Sequence, residues 1–378
     1  MIGFQMSKDQ TELIAMVKEL VEKKIAPQAI EMDARGDDTF DWRLAEILAQ
    51  YNLIAPVIPR AYGGRGLDFQ TFAMVIEEIA AGSAGLAACM VGVMHAITPI
   101  ILAGSESQKE RLLPPLTSPV PALAAFALTE PKGGSDIERL STIAQLKGED
   151  YILNGSKDYI VNGSVARFIT VCATTNPRSG RAGLRFFVVP GEEIKNKITR
   201  NKLGIKYTNT AQLMFDGNSV PSDNVIGNEG SGYPLLTQTL DYGRALVGAI
   251  EVGIARAAFQ IALEYARERH QFGRPIFSNQ GISFPLTEMA TRIDAARLMV
   301  WRACCLMDQE DDYTKESSMA KLFASEVAQI VTSKAIDVMG AAGYTATNLL
   351  GIYFRDAKVG SIVEGTNNIQ KMTIASLL

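Results

Sequence analysis

Four separated stretches of this sequence carry side chains that could do chemistry in combination. In Ile362-Val363-Glu364-Gly365-Thr366-Asn367-Asn368-Ile369-Gln370, an acid stands between apolar residues and a glycine. If that stretch is interior, burial raises the pKa of Glu364 and makes it a stronger base once ionised; if it is a loop, the same Glu is an ordinary surface charge. Phe126-Ala127-Leu128-Thr129-Glu130-Pro131-Lys132-Gly133-Gly134-Ser135-Asp136 mixes glycines with hydroxyls. Either Pro131 and the glycines punctuate a turn, or they let backbone N–H groups approach an anionic or polar ligand while Thr129 and Ser135 add directed hydrogen bonds. Asp241-Tyr242-Gly243-Arg244 heads a helical stretch. Arg267-Glu268-Arg269-His270-Gln271-Phe272-Gly273, with Gln280 downstream, offers guanidinium groups that suit a pyrophosphate or a solvated helix end.

Other chemistries are poorly supplied. A Ser-His-Asp relay, an HExxH metal site or a histidine facial triad would each have to use His95 or His270, and neither lies near a matching motif. His95 sits in an apolar run and reads as a packed core histidine. The four cysteines, Cys89, Cys172, Cys304 and Cys305, include no CxxC pair, which argues against a zinc cluster or a structural disulfide and for a reducing compartment. Carboxylates, backbone amides and a cofactor must carry any catalysis.

The elements that would position these residues follow from composition and period. A chain of 378 residues with 47% apolar and 21% charged residues has the length for two or three globular domains. Lys plus Arg (37) against Asp plus Glu (41) leaves a net charge of −4, so no global positive field would hold a nucleic acid. A capping box at Ser7 and Gln10 starts a helix almost at once, leaving no room for a signal or transit peptide. The uncharged run from Ile79 to Gly104 is long enough to cross a bilayer, but Gly82, Ser83, Gly85, Gly92, His95 and Pro99 interrupt it and no Lys/Arg cluster flanks it. A buried helix, no membrane insertion and a cytoplasmic protein are expected.

From Ser7 to about Leu116 the pattern is helical. From about Pro119 it turns β-rich, with hairpin-type dipeptides at Asn154-Gly155 and Asn162-Gly163 and strands over Phe168 to Thr175, Arg185 to Val189 and Ala211 to Phe215. Beyond Gly227 to Gly232 the helical period returns at Ala245 to Arg267, Leu286 to Asp308 and Thr314 to Met339, the last stopped by Gly340. This α, β, α order lacks the alternating βαβ units of a Rossmann domain.

Taken in order, LTEPxxGSD, DxxR, RxxFG and EGTxxIQ make the chain resemble the acyl-CoA dehydrogenase family over nearly its whole length. The resemblance implies an α+β multidomain fold: an N-terminal α-helical domain (1–118), a central antiparallel β-barrel or sandwich domain (119–228) and a C-terminal four-helix-bundle-like domain (229–378). It implies FAD as cofactor, an acyl-CoA substrate, an electron-transferring flavoprotein as acceptor and a homotetramer. In enzymes of this kind a glutamate removes the α-proton of the thioester while the flavin takes the β-hydride; the matching residue is Glu364.

By the same resemblance, Leu128, Thr129 and Ser135 line the flavin and the inner end of CoA, and Tyr159, Ile160 and Val161 form a strand against the isoalloxazine. Asp241 and Arg244 lie on the substrate side with Val91, Gly243, Val363 and Gly365. Arg269, Phe272, Gln280, Asp337, Gly340 and Ala341 match a surface that holds a neighbouring subunit's FAD, and Thr366 and Asn368 match cofactor contacts after the base. Where the family has Trp-x-Thr or Trp-x-Ser, this chain has Tyr159 and Val161, so a hydroxyl at the flavin is missing. Asp337 replaces a Gln, and Ala341 a Gly. Small Val363 and Gly243 with apolar Val91 suggest a wide, dry pocket for a branched or alicyclic, cyclohexane-carboxyl-like acyl group. The rival readings are an acyl-CoA oxidase or a flavin monooxygenase on the same scaffold, or a non-catalytic flavin-containing binding protein.

Overall fold

The structure is a computed structural model and describes residues 6–35, 40–137, 140–346 and 348–378. Its first layer is helical: α1 (Lys8–Leu20), α2 (Ala26–Arg35), α3 (Arg43–Gln50), α4 (Phe69–Gly82), α5 (Ala84–Ala103) and α6 (Glu106–Leu112). Ser7 and Gln10 form the capping box at α1, each side chain accepting from the other's backbone N–H, an arrangement worth about 1 kcal/mol. The apolar run from Ile79 to Gly104 is two helices. Ser83 takes an extended backbone, ends α4 and caps α5 by accepting from the Leu86 N–H.

The middle of the chain forms strands β1 (Ala124–Ala127), β2 (Ile143–Lys147), β3 (Asp150–Val161), β4 (Phe168–Thr174), β5 (Leu184–Pro190), β6 (Asn196–Thr199), β7 (Thr210–Pro221) and β8 (Val225–Ile226). They pair in the order β6-β7-β3-β2-β4-β5-β8, with β1 added against β4. The expected sandwich stands and no closed barrel forms, but the pairing is mixed rather than purely antiparallel: β1 and β2 both run parallel to β4. The reason is connection length. The chain leaves β1 through a long loop and makes the tight β2–β3 hairpin before it reaches β4, and long crossovers permit parallel neighbours.

The two Asn-Gly signals also change meaning. Asn154-Gly155 lies inside β3 at a register shift, where Gly155 adopts φ +146° and a side chain would meet Thr142 at 2.7 Å. It marks a bulge, and the hairpin falls instead at Gly148-Glu149. Asn162-Gly163 does turn the chain, but β3 and β4 are separated by β2, and the Asn162 amide is used otherwise. It donates to the carbonyls of Cys89 at 3.0 Å and Ala124 at 3.1 Å, tying α5, β1 and the end of β3 together.

β4 is buried on both faces, so it reads as a continuous apolar run. Phe168 and Cys172 face the helical core, while Ile169, Val171 and Ala173 fill a second core within the β domain. The Thr170 hydroxyl donates to the Ala96 carbonyl at 2.7 Å, fastening the sheet to α5.

The C-terminal part holds α7 (Gly232–Glu268), a small hairpin of β9 (His270–Gln271) and β10 (Arg274–Pro275), then α8 (Gln280–Asp308), α9 (Thr314–Met339), α10 (Leu349–Asp356) and α11 (Asn367–Ser376). α9 spans the expected residues, but α7 begins well before Ala245, because Pro234 falls in its first turn where a missing N–H loses nothing. Both α5 and α7 are long and apolar enough to cross a bilayer, and both are mostly buried within the protein. α4 and α7 cross closely: a side chain at Gly253 would lie 2.4 Å from the Glu77 carbonyl oxygen and 2.8 Å from Ala80 Cβ. At that crossing Glu77 contacts Arg256 of α7 at 2.9 Å and Arg297 of α8 at 3.0 Å, one carboxylate joining three helices.

Candidate active site

Glu364 stands on a turn between a short 3-10 segment (Val359–Ser361) and α11. Its φ is +53° and that of Gly365 is +80°, and a left-handed conformation at a non-glycine residue costs on the order of 1 kcal/mol. Buried side chains hold the turn in that shape. The Gln370 amide, fully buried, donates to the carbonyls of Glu364 and Gly365, both at 2.8 Å. Buried Lys321 of α9 donates to the Gly365 carbonyl at 2.8 Å and to Asn367 Oδ1 at 3.1 Å, and the Asn367 amide donates to Ser325 at 3.0 Å. Thr366 caps α11, accepting from the Ile369 N–H. The IQ of the motif is thus the clasp of the turn.

The carboxylate meets α5 and α7. His95 Nε2 lies 3.3 Å from Glu364 Oε2, and the two facing atoms are buried without completing a hydrogen bond. The expectation of a packed core histidine is half right. The ring is buried and lies 5.9 Å from Phe126, yet its polar edge faces the acid rather than apolar carbon. Gly243 makes this possible, since a side chain there would sit 1.9 Å from His95 Nε2 and 3.0 Å from Glu364 Oε2. The room at Gly243 is taken by the imidazole, so glycine at that position does not by itself widen the pocket.

Burial pushes the Glu364 carboxyl up, but the neighbouring His95, then Arg244 and Lys321, outweigh it and hold the group below the ordinary carboxylate range. This corrects the expectation of a net upward shift: burial is present, and the surrounding cations were not visible in the sequence. Burial pulls the Lys321 ammonium down to about 8, against the attraction of Glu364 and Glu251. Arg244 pairs with Asp241 within α7, and Asp241 also accepts from the Thr314 hydroxyl at 2.8 Å, so the DxxR motif is an internally paired unit.

The LTEP stretch is fastened from below. Lys157, fully buried on β3, donates to the Leu128 carbonyl at 2.8 Å and to Glu130 Oε1 at 2.9 Å. The Asp158 N–H donates to the Thr129 carbonyl at 2.8 Å. Ser135 is exposed, and a side chain built at Gly134 would meet nothing within 4 Å, so this loop presents hydroxyl and backbone to open space. Tyr159 is 65% exposed with φ +57°, next to buried Ile160. The side chain of Val161 packs toward Gly92 of α5, one residue from buried Val91.

A second group lies apart. Arg269, Phe272, Gln280, Asp337, Gly340 and Ala341 are all exposed. Phe272, at the tip of the β9–β10 hairpin with φ +54°, is 96% exposed. Thr366 and Val363 are partly buried, and Asn368 is exposed on α11. His95, Lys157 and Lys321 are the site residues that the sequence did not single out. Each is joined to its partner only by the tertiary fold, and the one local signal was a histidine within the apolar run of α5.

Comparison with known proteins identifies the family. Three family models match in succession: the acyl-CoA dehydrogenase N-terminal domain over residues 7–119, the middle domain over 125–218 and the C-terminal domain over 230–378. The chain belongs to the acyl-CoA dehydrogenase family, oxidoreductases that act on acyl-CoA. An acyl-CoA dehydrogenase of Bacillus subtilis (strain 168) is 40% identical over 98% of each chain. Cyclohex-1-ene-1-carbonyl-CoA dehydrogenase of Syntrophus aciditrophicus (strain SB) is 38% identical over 97% of this chain and 89% of that protein. The solved structure of butyryl-CoA dehydrogenase from Megasphaera elsdenii superposes with a TM-score of 0.94 at 34% identity, covering 99% of both chains.

Proposed function

We propose that this chain binds FAD and carries out the α,β-dehydrogenation of an acyl-CoA to the 2-enoyl-CoA, with Glu364 as the base that takes the α-proton. The observation that carries this is the Glu364 carboxylate, kept ionised by His95, Arg244 and Lys321 on a turn clasped by Gln370. An α-C–H bond beside a thioester is a weak acid, so its removal needs a fixed, dry carboxylate and donors to the thioester carbonyl. The Glu364 backbone N–H is one such donor by family resemblance. Thr129, Ser135, the open backbone at Gly133-Gly134, the exposed Tyr159 ring, Thr366 and Asn368 make a donor set that suits a flavin, and they would hold it. When bound, FAD supplies the two-electron acceptor for the hydride leaving the β-carbon.

The exposed set from Arg269 to Ala341 would complete a neighbouring subunit's cofactor site in a homotetramer, with an electron-transferring flavoprotein reoxidising the cofactor. A branched or alicyclic acyl group is the favoured substrate, supported by the small Val363 beside the base and by the alicyclic substrate in the name of the Syntrophus relative.

Glu364→Gln is expected to keep bound FAD and assembly but to slow anaerobic flavin bleaching by at least ~10²-fold. The panel is butyryl-, 2-methylbutyryl- and cyclohexanecarboxyl-CoA, read by stopped-flow absorbance. Bleaching of the variant at a near-normal rate would mean that another base exists, and fast reoxidation of the reduced wild type in air would favour an oxidase.

A further inference from the structure

We infer that His95 is a positioning residue for the base, abutting Oε2 of Glu364 so that the carboxylate offers its other oxygen to the substrate, in space that Gly243 leaves open. The inference rests on the reading of Glu364 as the base and deepens it. Three observations meet at one point. His95 Nε2 and Glu364 Oε2 are 3.3 Å apart and both are buried. The Glu364 side chain nevertheless retains 19% exposure, which therefore lies away from Oε2. The helix opposite carries the one residue type that lets the ring reach the acid, since any Cβ at position 243 would occupy the site of Nε2.

The imidazole is not held in place by accident of packing alone. It sits on α5, whose neighbouring turns are tied to the sheet by Asn162 on the Cys89 carbonyl and Thr170 on the Ala96 carbonyl, so the ring's root is fixed on both sides. The polar and charged groups around the acid come from three helices. His95 faces it from α5, Arg244 with its partner Asp241 from α7, and Lys321 with Glu251 behind it from α9 and α7. Of these, Arg244 is already paired with Asp241, and Lys321 spends its hydrogen bonds on Gly365 and Asn367. His95 is the one whose polar atom abuts the carboxylate. Removing it leaves the acid desolvated with only the more distant cations, which favours the protonated, inactive form.

The test uses the FAD-loaded protein and has two readouts. The first is the pH profile of anaerobic flavin bleaching by whichever acyl-CoA of the panel above is fastest. The second needs no turnover: the infrared carboxylate band that disappears in Glu364→Gln is titrated in the substrate-free protein. His95→Leu is expected to move the acid limb of the profile and the infrared midpoint upward by about one pH unit or more, a loss of about tenfold below the midpoint that is recovered at high pH. His95→Gln, which keeps an N–H donor, is expected to restore part of the shift. Gly243→Ala, which leaves the imidazole intact but displaces it, is expected to reproduce His95→Leu. A rate lowered equally at every pH, with the infrared midpoint unmoved in both His95→Leu and Gly243→Ala, would overturn the inference and leave His95 a packing residue. Persistence of bleaching in Glu364→Gln would instead overturn the base, and the infrared arm would still decide whether His95 controls the acid.

Discussion

Glu130 is a buried acid and Glu364 a partly buried one, both held below the ordinary carboxylate range, and their surroundings differ in kind. At Glu130, burial pushes the carboxyl up, but Lys157 and the donors of Ser141 bring it down to about 2. Its unfolded value is near 4.5, so between those limits the folded state binds fewer protons than the unfolded one. The stability is therefore present above about pH 4.5 and lost as pH falls toward 2, on the order of 3 kcal/mol across the window. Glu130→Gln is expected to be less stable at pH 7, because it leaves the Lys157 ammonium buried without its partner, and to lose little more on acidification; urea midpoints at pH 5 and pH 3 check both. An unchanged acid slope in the variant would assign the loss to other carboxylates. Glu364, Thr129 and Arg244 were legible in the sequence because each belongs to a short motif. His95 and Lys157 were not, since a histidine in an apolar helix, or a lysine in a strand, looks the same whether it faces carbon or a carboxylate far along the chain.

Among the elements, α9 governs the base turn from outside the motif. Lys321 supports the Gly365 carbonyl and Asn367, and its ammonium helps keep Glu364 ionised. Lys321→Met is expected to lower stability by about 1–3 kcal/mol, the usual consequence of leaving buried polar partners unmatched. It should also raise the pH at which bleaching sets in, while Lys321→Arg should retain part of both; thermal unfolding and the bleaching profile read the two effects. Periodicity located the long helices, since α9 matches its expected span and the ends of α7 and α8 were obscured only by Pro234 and Pro285 near their starts. Strand pairing was much less legible. Asn154-Gly155 carries the composition of a tight turn, but the bulge at β3 depends on Thr142 lying across it, which no local pattern encodes.

Across the whole molecule, the exposed side chains divide by place. Arg269, Phe272, Gln280, Asp337, Gly340 and Ala341 are turned outward while Asp241 and Gly243 are buried and Glu364 is partly buried, which is the distribution expected if a second chain covers the first group. Fully burying the Phe272 side chain alone would contribute about 1.5–3 kcal/mol. Arg269→Ala and Phe272→Ala are each expected to release FAD or dissociate the assembly on dilution, followed by flavin fluorescence and light scattering; an intact, yellow assembly in both would remove that surface from the cofactor site.

The crossing at Gly253 has a thermal corollary. Because Glu77 is shared by guanidinium groups from two C-terminal helices, parting α4 from either α7 or α8 removes one of the two cations from a buried carboxylate. Heat should therefore be absorbed in one calorimetric peak rather than in successive steps, and Glu77→Gln is the change most suited to splitting that peak into two.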